Sequence, residues 1–316
     1  MYWRRNTKFV SSKFYKIFDI CYKKKIEITT DVEITIEVNP GTVCLSTFQA
    51  YQEIGINRIS IGAQSFNKNQ LKSIGRIHDN VDIEKSIVFL KKINFLNFNI
   101  DLMYGLPNQT LQDSLNDLIK AVQLKPTHIS WYQLTVEKNT QFYSFTPTLP
   151  SEDNIWKIFK KGHNFLISQK YLQYEISSYA AVNHFCKHNM NYWNFGDYLG
   201  IGCGSHSKIT NNNKSIIRII KTSSPKKFME GTYIFKTYKV KNKDKPFEFF
   251  LNRFRLLKDI PRETFEIYTG LKENYIRLQI NQAIDNKYIK ESKKNWILTR
   301  KGKRYLNNLL EIFIDI

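Results

Sequence analysis

Phe98-Asn-Ile-Asp-Leu-Met103 alternates like a strand, Gly105-Leu-Pro107 stops it, and residues 110–124 then carry a helical pattern that ends before Pro126. The same unit recurs on both sides. Glu33-Ile-Thr-Ile-Glu-Val38 runs into Asn39-Pro-Gly-Thr42, followed by a helical stretch over 45–54 with Gly55 as its stop. Arg58-Ile-Ser-Ile-Gly62 and His128-Ile-Ser-Trp-Tyr-Gln-Leu134 are two more strand-like runs, and Tyr174-Glu-Ile-Ser-Ser178 is a fifth candidate after a helical pattern over 152–169. Consecutive runs begin 25, 40, 30 and 46 residues apart, the length of a strand–helix unit with its loops. That rhythm predicts an α/β fold with parallel strands, either a doubly wound sheet or a β/α barrel.

Polar side chains collect where these strands end: Glu37, Gln64, Asp101 and Gln133. A β/α barrel builds its site at that face, so four polar strand ends in succession point to a shared cavity. From Pro246 onward the pattern changes. Three helical stretches over 246–257, 262–269 and 272–286 precede a short strand-like Trp296-Ile-Leu-Thr299 and a last helix over 301–313, the order of a winged-helix-like module.

The 316 residues carry 48 Lys and Arg against 28 Asp and Glu, a formal charge of +20. The excess is uneven: +9 over 208–245, +5 over 246–316 and +6 over the rest. Two readings fit. A/T-rich codons favour Lys with the abundant Asn, Ile, Phe and Tyr, or a basic surface meets an anionic partner such as a lipid surface. The tail's +5 is too small to select DNA, and no nucleic-acid partner is expected. No run of 18 apolar residues and no signal-like apolar core follows the basic start, so a cytoplasmic setting is expected. The four cysteines (Cys21, Cys44, Cys186, Cys203) fit neither a disulfide framework nor a Cys-x-x-Cys site. The domains read as a β/α part over 1–207, a basic connecting segment over 208–245 and a helical domain over 246–316. Gly200-Ile-Gly-Cys-Gly-Ser-His206 lacks the Gly-Lys-Ser/Thr ending of a phosphate loop and reads as close backbone packing at the end of the barrel.

Glu37-Val-Asn-Pro-Gly-Thr42, Arg58-Ile-Ser-Ile-Gly-Ala-Gln-Ser-Phe66, Ile74-Gly-Arg-Ile-His78, Asp101-Leu-Met-Tyr-Gly-Leu-Pro107 and Ser130-Trp-Tyr-Gln-Leu-Thr135 occur in that order. His188-Asn-Met-Asn-Tyr-Trp193, Gly196-Asp-Tyr-Leu-Gly-Ile-Gly-Cys-Gly204 and Pro246-Phe-Glu-Phe-Phe250 follow. The set resembles the radical S-adenosylmethionine proteins related to oxygen-independent coproporphyrinogen III oxidase, and within them the haem chaperone HemW family. The resemblance spans roughly residues 30–316. It implies a partial (β/α)6 barrel with an appended helical domain, and S-adenosylmethionine contacts at Glu37, Gln64, Arg76 and Asp101. Carboxylates there accept from ribose hydroxyls or the ammonium, and Arg76 pairs with the carboxylate; a surface salt bridge and a loop cap are the plainer roles for Arg76 and Asp101. It also implies haem contacts at His188, Tyr192 and Trp193, with His184 and Cys186 as alternative ligands, and haemoprotein acceptors as partners, with a membrane surface as a transient one. A lone His among aromatics is otherwise a structural residue.

The departure is the [4Fe–4S] cluster. The family binds it with Cys-x-x-x-Cys-x-x-Cys, which these 316 residues lack. As written, the chain is expected to begin after that loop, to miss the first barrel strands and not to cleave S-adenosylmethionine. One permissible codon set for Tyr2–Val10, read from its second base, gives Ile-Gly-Gly-Gly-Ile-Pro-Ser-Leu, close to the family's Ile-Gly-Gly-Gly-Thr-Pro-Ser-Leu, so a frameshift near Val10 is the expectation. Three functions follow: a haem carrier degenerate in its radical half, a coproporphyrinogen oxidase-like enzyme if the missing start is restored, or a gene remnant prone to aggregate at the Glu33–Val38 edge.

Overall fold

The computed structural model describes residues 29–314; the frameshift expectation at Tyr2–Val10 and Cys21 lie outside them. The chain divides into two compact units. One takes the described residues up to Gln173 together with Ser177–Phe185, the other Tyr174–Ile176 and the described residues from Cys186 on.

In the first unit, β1 (Thr35–Val38), β2 (Arg58–Gln64), β3 (Phe98–Tyr104) and β4 (His128–Gln133) lie side by side in sequence order, all parallel. The four expected strands are therefore present. The fifth is not a parallel strand. The chain forms β5 (Leu172–Glu175), turns at Ile176–Ser177, and returns as β6 (Ser178–Ala180), which pairs antiparallel with β4. A two-residue turn leaves no room for a crossover helix, so the returning strand must run the other way. The sheet order is β1-β2-β3-β4-β6-β5.

The alternation of these strands separates two faces. Val38, Ile59, Ile61, Ile100, Leu102, Ile129 and Trp131 share one phase and pack against Phe48, Ile87, Leu118, Ile158 and Leu166 from the helices. Those helices are Leu45–Glu53, Asn80–Lys92, Leu111–Gln123 and Glu152–Ser168. Their starts are set locally. Asp79 and Thr110 each close a capping box with the carboxylate three residues on, which satisfies helix N–H groups that have no partner within the helix. Gly55 takes φ +92 at the end of the first helix, a conformation open to glycine at little cost.

The second unit begins earlier than 208. Its boundary is at Cys186, and the expected connecting segment is instead a three-stranded antiparallel sheet of β7 (His206–Thr210), β8 (Ile216–Lys221) and β9 (Ile234–Lys239). The lysines that suggested a solvated linker flank a run of isoleucines, and buried Ile216 and Val240 join the core of this unit. The Gly200–His206 loop belongs here too, not to the barrel end. Its close packing is as expected, since a Cβ on Gly200 would meet the His206 carbonyl oxygen at 2.2 Å.

Helices Lys245–Arg253, Glu263–Thr269 and Arg277–Asp285 follow, with a second antiparallel sheet of β10 (Ile260–Pro261), β11 (Ile289–Glu291) and β12 (Asn295–Leu298). This is the winged-helix-like order. Its core is aromatic: Phe249, Phe250, Phe265, Trp296 and Phe313 are all buried. The single last helix is split into Arg300–Arg304 and Leu306–Glu311 at Tyr305, whose φ −112 and ψ 45 are not helical. Among the described residues, no helix is long and apolar enough to cross a membrane.

Candidate functional site

The other phase of the parallel strands is polar. Cross-strand register places Glu37 beside Ser60, Ser60 beside Asn99, Asn99 beside His128, and Asp101 beside Ser130. Side chains in this phase point away from the helices, so one whole face of the sheet carries hydrogen-bonding groups.

Asp101 stands at its centre. Its carboxylate accepts from the Ser60 hydroxyl at 2.8 Å and from Asn99 Nδ2, also at 2.8 Å. Asn99 Nδ2 also donates to Ser60 Oγ (2.7 Å), while Asn99 Oδ1 accepts from Ser130 Oγ (3.2 Å) and lies 2.6 Å from His128 Nδ1. Burial raises the Asp101 carboxyl above the ordinary carboxylate range; the hydrogen bonds from Ser60, Asn99 and Ser130 and the nearby Arg58 charge oppose that rise without cancelling it. Buried groups paired this fully hold one geometry, so Asp101 is a pre-aligned acceptor.

Gln64 ends β2 beside a register shift and has φ +66, which is uncommon outside glycine. The turn brings its amide oxygen 2.6 Å from the Tyr132 hydroxyl, which donates to it. Gly62 makes this possible: a Cβ there would crowd Gln64 Nε2 at 3.2 Å and Asn39 Oδ1 at 3.6 Å. Arg76 donates from Nη1 to Asn39 Oδ1 at 2.9 Å, which ties it to the chain just after β1. Glu37, in register with Ser60, is exposed. The structure thus links the surroundings of Gln64, Arg76 and Asp101 through Asn39, Gly62 and Ser60, with Glu37 at the edge of the same face. Gln133, the fourth polar strand end, is also exposed.

Sequence reasoning missed Ser60, Asn99, His128 and Ser130. Their signal was the polar phase within each strand; attention to strand ends alone passed over it.

The His188 motif is in the second unit. Lys187–Trp193 forms a two-turn helix with buried Cys186 as its N-cap. His188 and Tyr192, one turn apart, meet edge to face with ring centres 4.6 Å apart, and Tyr192 in turn packs on Tyr198 at 4.3 Å. Arg218 donates to the Tyr198 hydroxyl at 2.7 Å and pairs with Glu248 at 2.7 Å, fixing the far end of this row. Trp193 is not part of it. Its ring lies under Arg255, with the guanidinium carbon 4.4 Å from the ring centre. His188 and His184 are exposed and Cys186 is 3% exposed, so of the two alternative ligands only His184 faces solvent.

The donor set fits S-adenosylmethionine in part: Asp101 and Glu37 offer carboxylates, and Arg76 a guanidinium. It does not fit an iron–sulfur cluster. Cys44 bonds the Ser46 and Thr47 hydroxyls at 3.2 and 3.1 Å, Cys186 is buried, and Cys203 bonds the Thr222 carbonyl at 3.1 Å. Among the described residues, no three His, Cys, Asp or Glu side chains are grouped to hold a metal.

Residues 7–119 match the Radical SAM superfamily model, and residues 240–305 match the HemN C-terminal domain. The Heme chaperone HemW of Haemophilus influenzae is 48% identical over 292 residues, covering 92% of this chain and 76% of that protein. HemW of Escherichia coli is also 48% identical, with 92% and 77% covered, and that of Buchnera aphidicola subsp. Schizaphis graminum is 50% identical, with 93% and 78% covered. The solved structure of Escherichia coli coproporphyrinogen III oxidase (HemN), titled a radical SAM enzyme, superposes with TM-score 0.81 at 19% identity, over 98% of this chain and 75% of that one. The last likeness shows the shared fold, a radical SAM-type α/β unit with a C-terminal domain. The near-50% identities over nine-tenths of the sequence go further: this chain belongs to the HemW family of haem chaperones.

Proposed function

We propose that the chain binds haem and delivers it to acceptor haemoproteins. The observation that carries this reading is the 48% identity to two named haem chaperones over 92% of the chain. In the second unit, His188 is the proposed axial ligand, because an exposed imidazole on a helix is a good donor to haem iron. Tyr192 would pack on the porphyrin beside it, while Trp193, held by Arg255, would anchor the helix more than line the haem. Acceptor haemoproteins are the proposed partners and the cytoplasm the proposed setting, where thiols such as Cys186 stay reduced.

The polar sheet face is proposed to hold S-adenosylmethionine through Glu37, Gln64, Arg76 and Asp101. In the family the cluster supplies the electron for cleaving that cofactor, and this chain's cysteines do not provide its three thiolates. The proposed role is therefore carriage and not catalysis. The oxidase reading has less support, since its relative shares 19% identity and the fold alone.

Haem titration followed at the Soret band tests the proposal. Saturable binding with a shifted Soret maximum is expected, with His188→Ala weakening it at least about tenfold, the loss of one iron–imidazole bond. An unchanged titration in that variant removes His188 from the site. No Soret shift in the parent protein would overturn haem binding itself. Loaded protein mixed with an apo-haemoprotein should then give up its haem.

A further inference from the structure

The surface of residues 224–243 has a composition that neither the fold nor haem carriage explains. Every residue from Met229 to Lys239 is exposed, yet the run is ordered. All six residues of β9 are exposed although β9 pairs along β8 from Ile217 to Lys221. Further backbone bonds, Thr222 N–H to the Tyr233 carbonyl (3.1 Å) and Thr232 N–H to the Lys227 carbonyl (3.0 Å), hold the turn after helix Pro225–Met229. On this scaffold Met229 is 83% exposed, Phe235 74%, Tyr233 55% and Ile234 52%. Lys226, Lys227, Lys236, Lys239, Lys241 and Lys243 are interspersed and exposed, against the single acid Glu230.

Lysines on an edge strand ordinarily prevent another strand from adding to it. That accounts for Lys236 and Lys239. It does not account for Phe235 and Met229, which would promote the association the lysines oppose. Single-stranded nucleic acid would use the charge and the tyrosines, but aliphatic Met229 and Ile234 gain nothing from bases. Apolar and aromatic tips projecting from a lysine-rich frame match an interface with acyl chains below and anionic headgroups at its surface.

We infer that helix Pro225–Met229 and β9 form a docking surface for anionic lipid bilayers. Met229, Tyr233 and Phe235 enter the headgroup boundary and the six lysines contact the acidic headgroups. Each lysine near an anionic leaflet strengthens partitioning by roughly fivefold, and the contribution falls as salt screens it.

Flotation of the full chain with vesicles tests this. Binding to phosphatidylcholine vesicles containing one part in about three of phosphatidylglycerol is expected, with little binding to phosphatidylcholine alone and release at high salt. Lys226→Glu with Lys227→Glu should lower partitioning by more than about tenfold. Met229→Ser with Phe235→Ser should lower it at low salt, where charge alone would suffice for adsorption. All four side chains are solvent-facing, so both variants should retain the parent's circular dichroism and haem titration. His188→Ala should float like the parent, which separates this surface from the haem proposal. Equal binding to neutral and anionic vesicles, no flotation of the parent, unchanged flotation of both double variants, or tighter binding of a single-stranded RNA oligonucleotide than of the vesicles would each overturn the inference.

Discussion

Asn99 can face only one way. Its Nδ2 donates to the Asp101 carboxylate, which has no proton to offer in its ionised form, so its Oδ1 must be the acceptor toward His128. That puts the proton of neutral His128 on Nδ1. Burial pushes the His128 pKa well below its ordinary value, and the Arg58 charge adds to the shift. In the unfolded chain the imidazole takes up a proton near pH 6.5, whereas the folded protein refuses it until a much lower pH. The unfolded state therefore binds more protons in that window, and stability falls as the pH drops below about 6.5, by at most about 1.4 kcal/mol per pH unit for this one group. His128→Asn keeps a donor toward Asn99 and removes the titration. Urea unfolding of parent and variant between pH 7.5 and 5 should show a shallower loss in the variant, and parallel curves would exclude His128 as the source.

Helix Glu152–Ser168 shows how packing overrides propensity. Alanine in place of a mid-helix glycine ordinarily stabilises by about 1 kcal/mol. At Gly162 a Cβ would lie 2.2 Å from Trp131 Cη2, 2.7 Å from Cζ2 and 2.9 Å from Leu118 Cδ1. Trp131 is 2% exposed and stacked on Phe159, so the ring has nowhere to go. Overpacking of this kind costs about 1–3 kcal/mol, enough to reverse the propensity gain. Gly162→Ala should lower the urea midpoint; a variant as stable as the parent, or more so, would show that the helix can shift away from the sheet.

Two cores imply two unfolding units. The first is the aliphatic seam between the parallel strands and their helices, the second the aromatic cluster around Phe250 and Trp296. Chains with separate cores commonly depart from a single two-state transition. Native-state hydrogen exchange in rising urea should therefore give one opening midpoint for amides at Ile100 and Trp131 and another for those at Phe250 and Trp296. A single shared midpoint would mean that the molecule opens as one unit.

Periodicity and punctuation in the chain were enough to locate the four parallel strands, their helices and the winged-helix-like tail, because alternation, caps and glycine stops act over a few residues. The ordered motifs were enough to indicate the family. Three features depended on contacts distant in sequence. The antiparallel return at β6 follows from a turn at Ile176–Ser177 whose strand partner, β4, lies some 50 residues back. The basic 208–245 segment became a sheet because Ile216 and Val240 found a core to join, which no local charge count reveals. The Asp101 network existed in the sequence only as unrelated polar residues on three strands. Parallel register brought Ser60, Asn99 and His128 into line, since side chains at equivalent positions of neighbouring strands share a face only once the strands have paired.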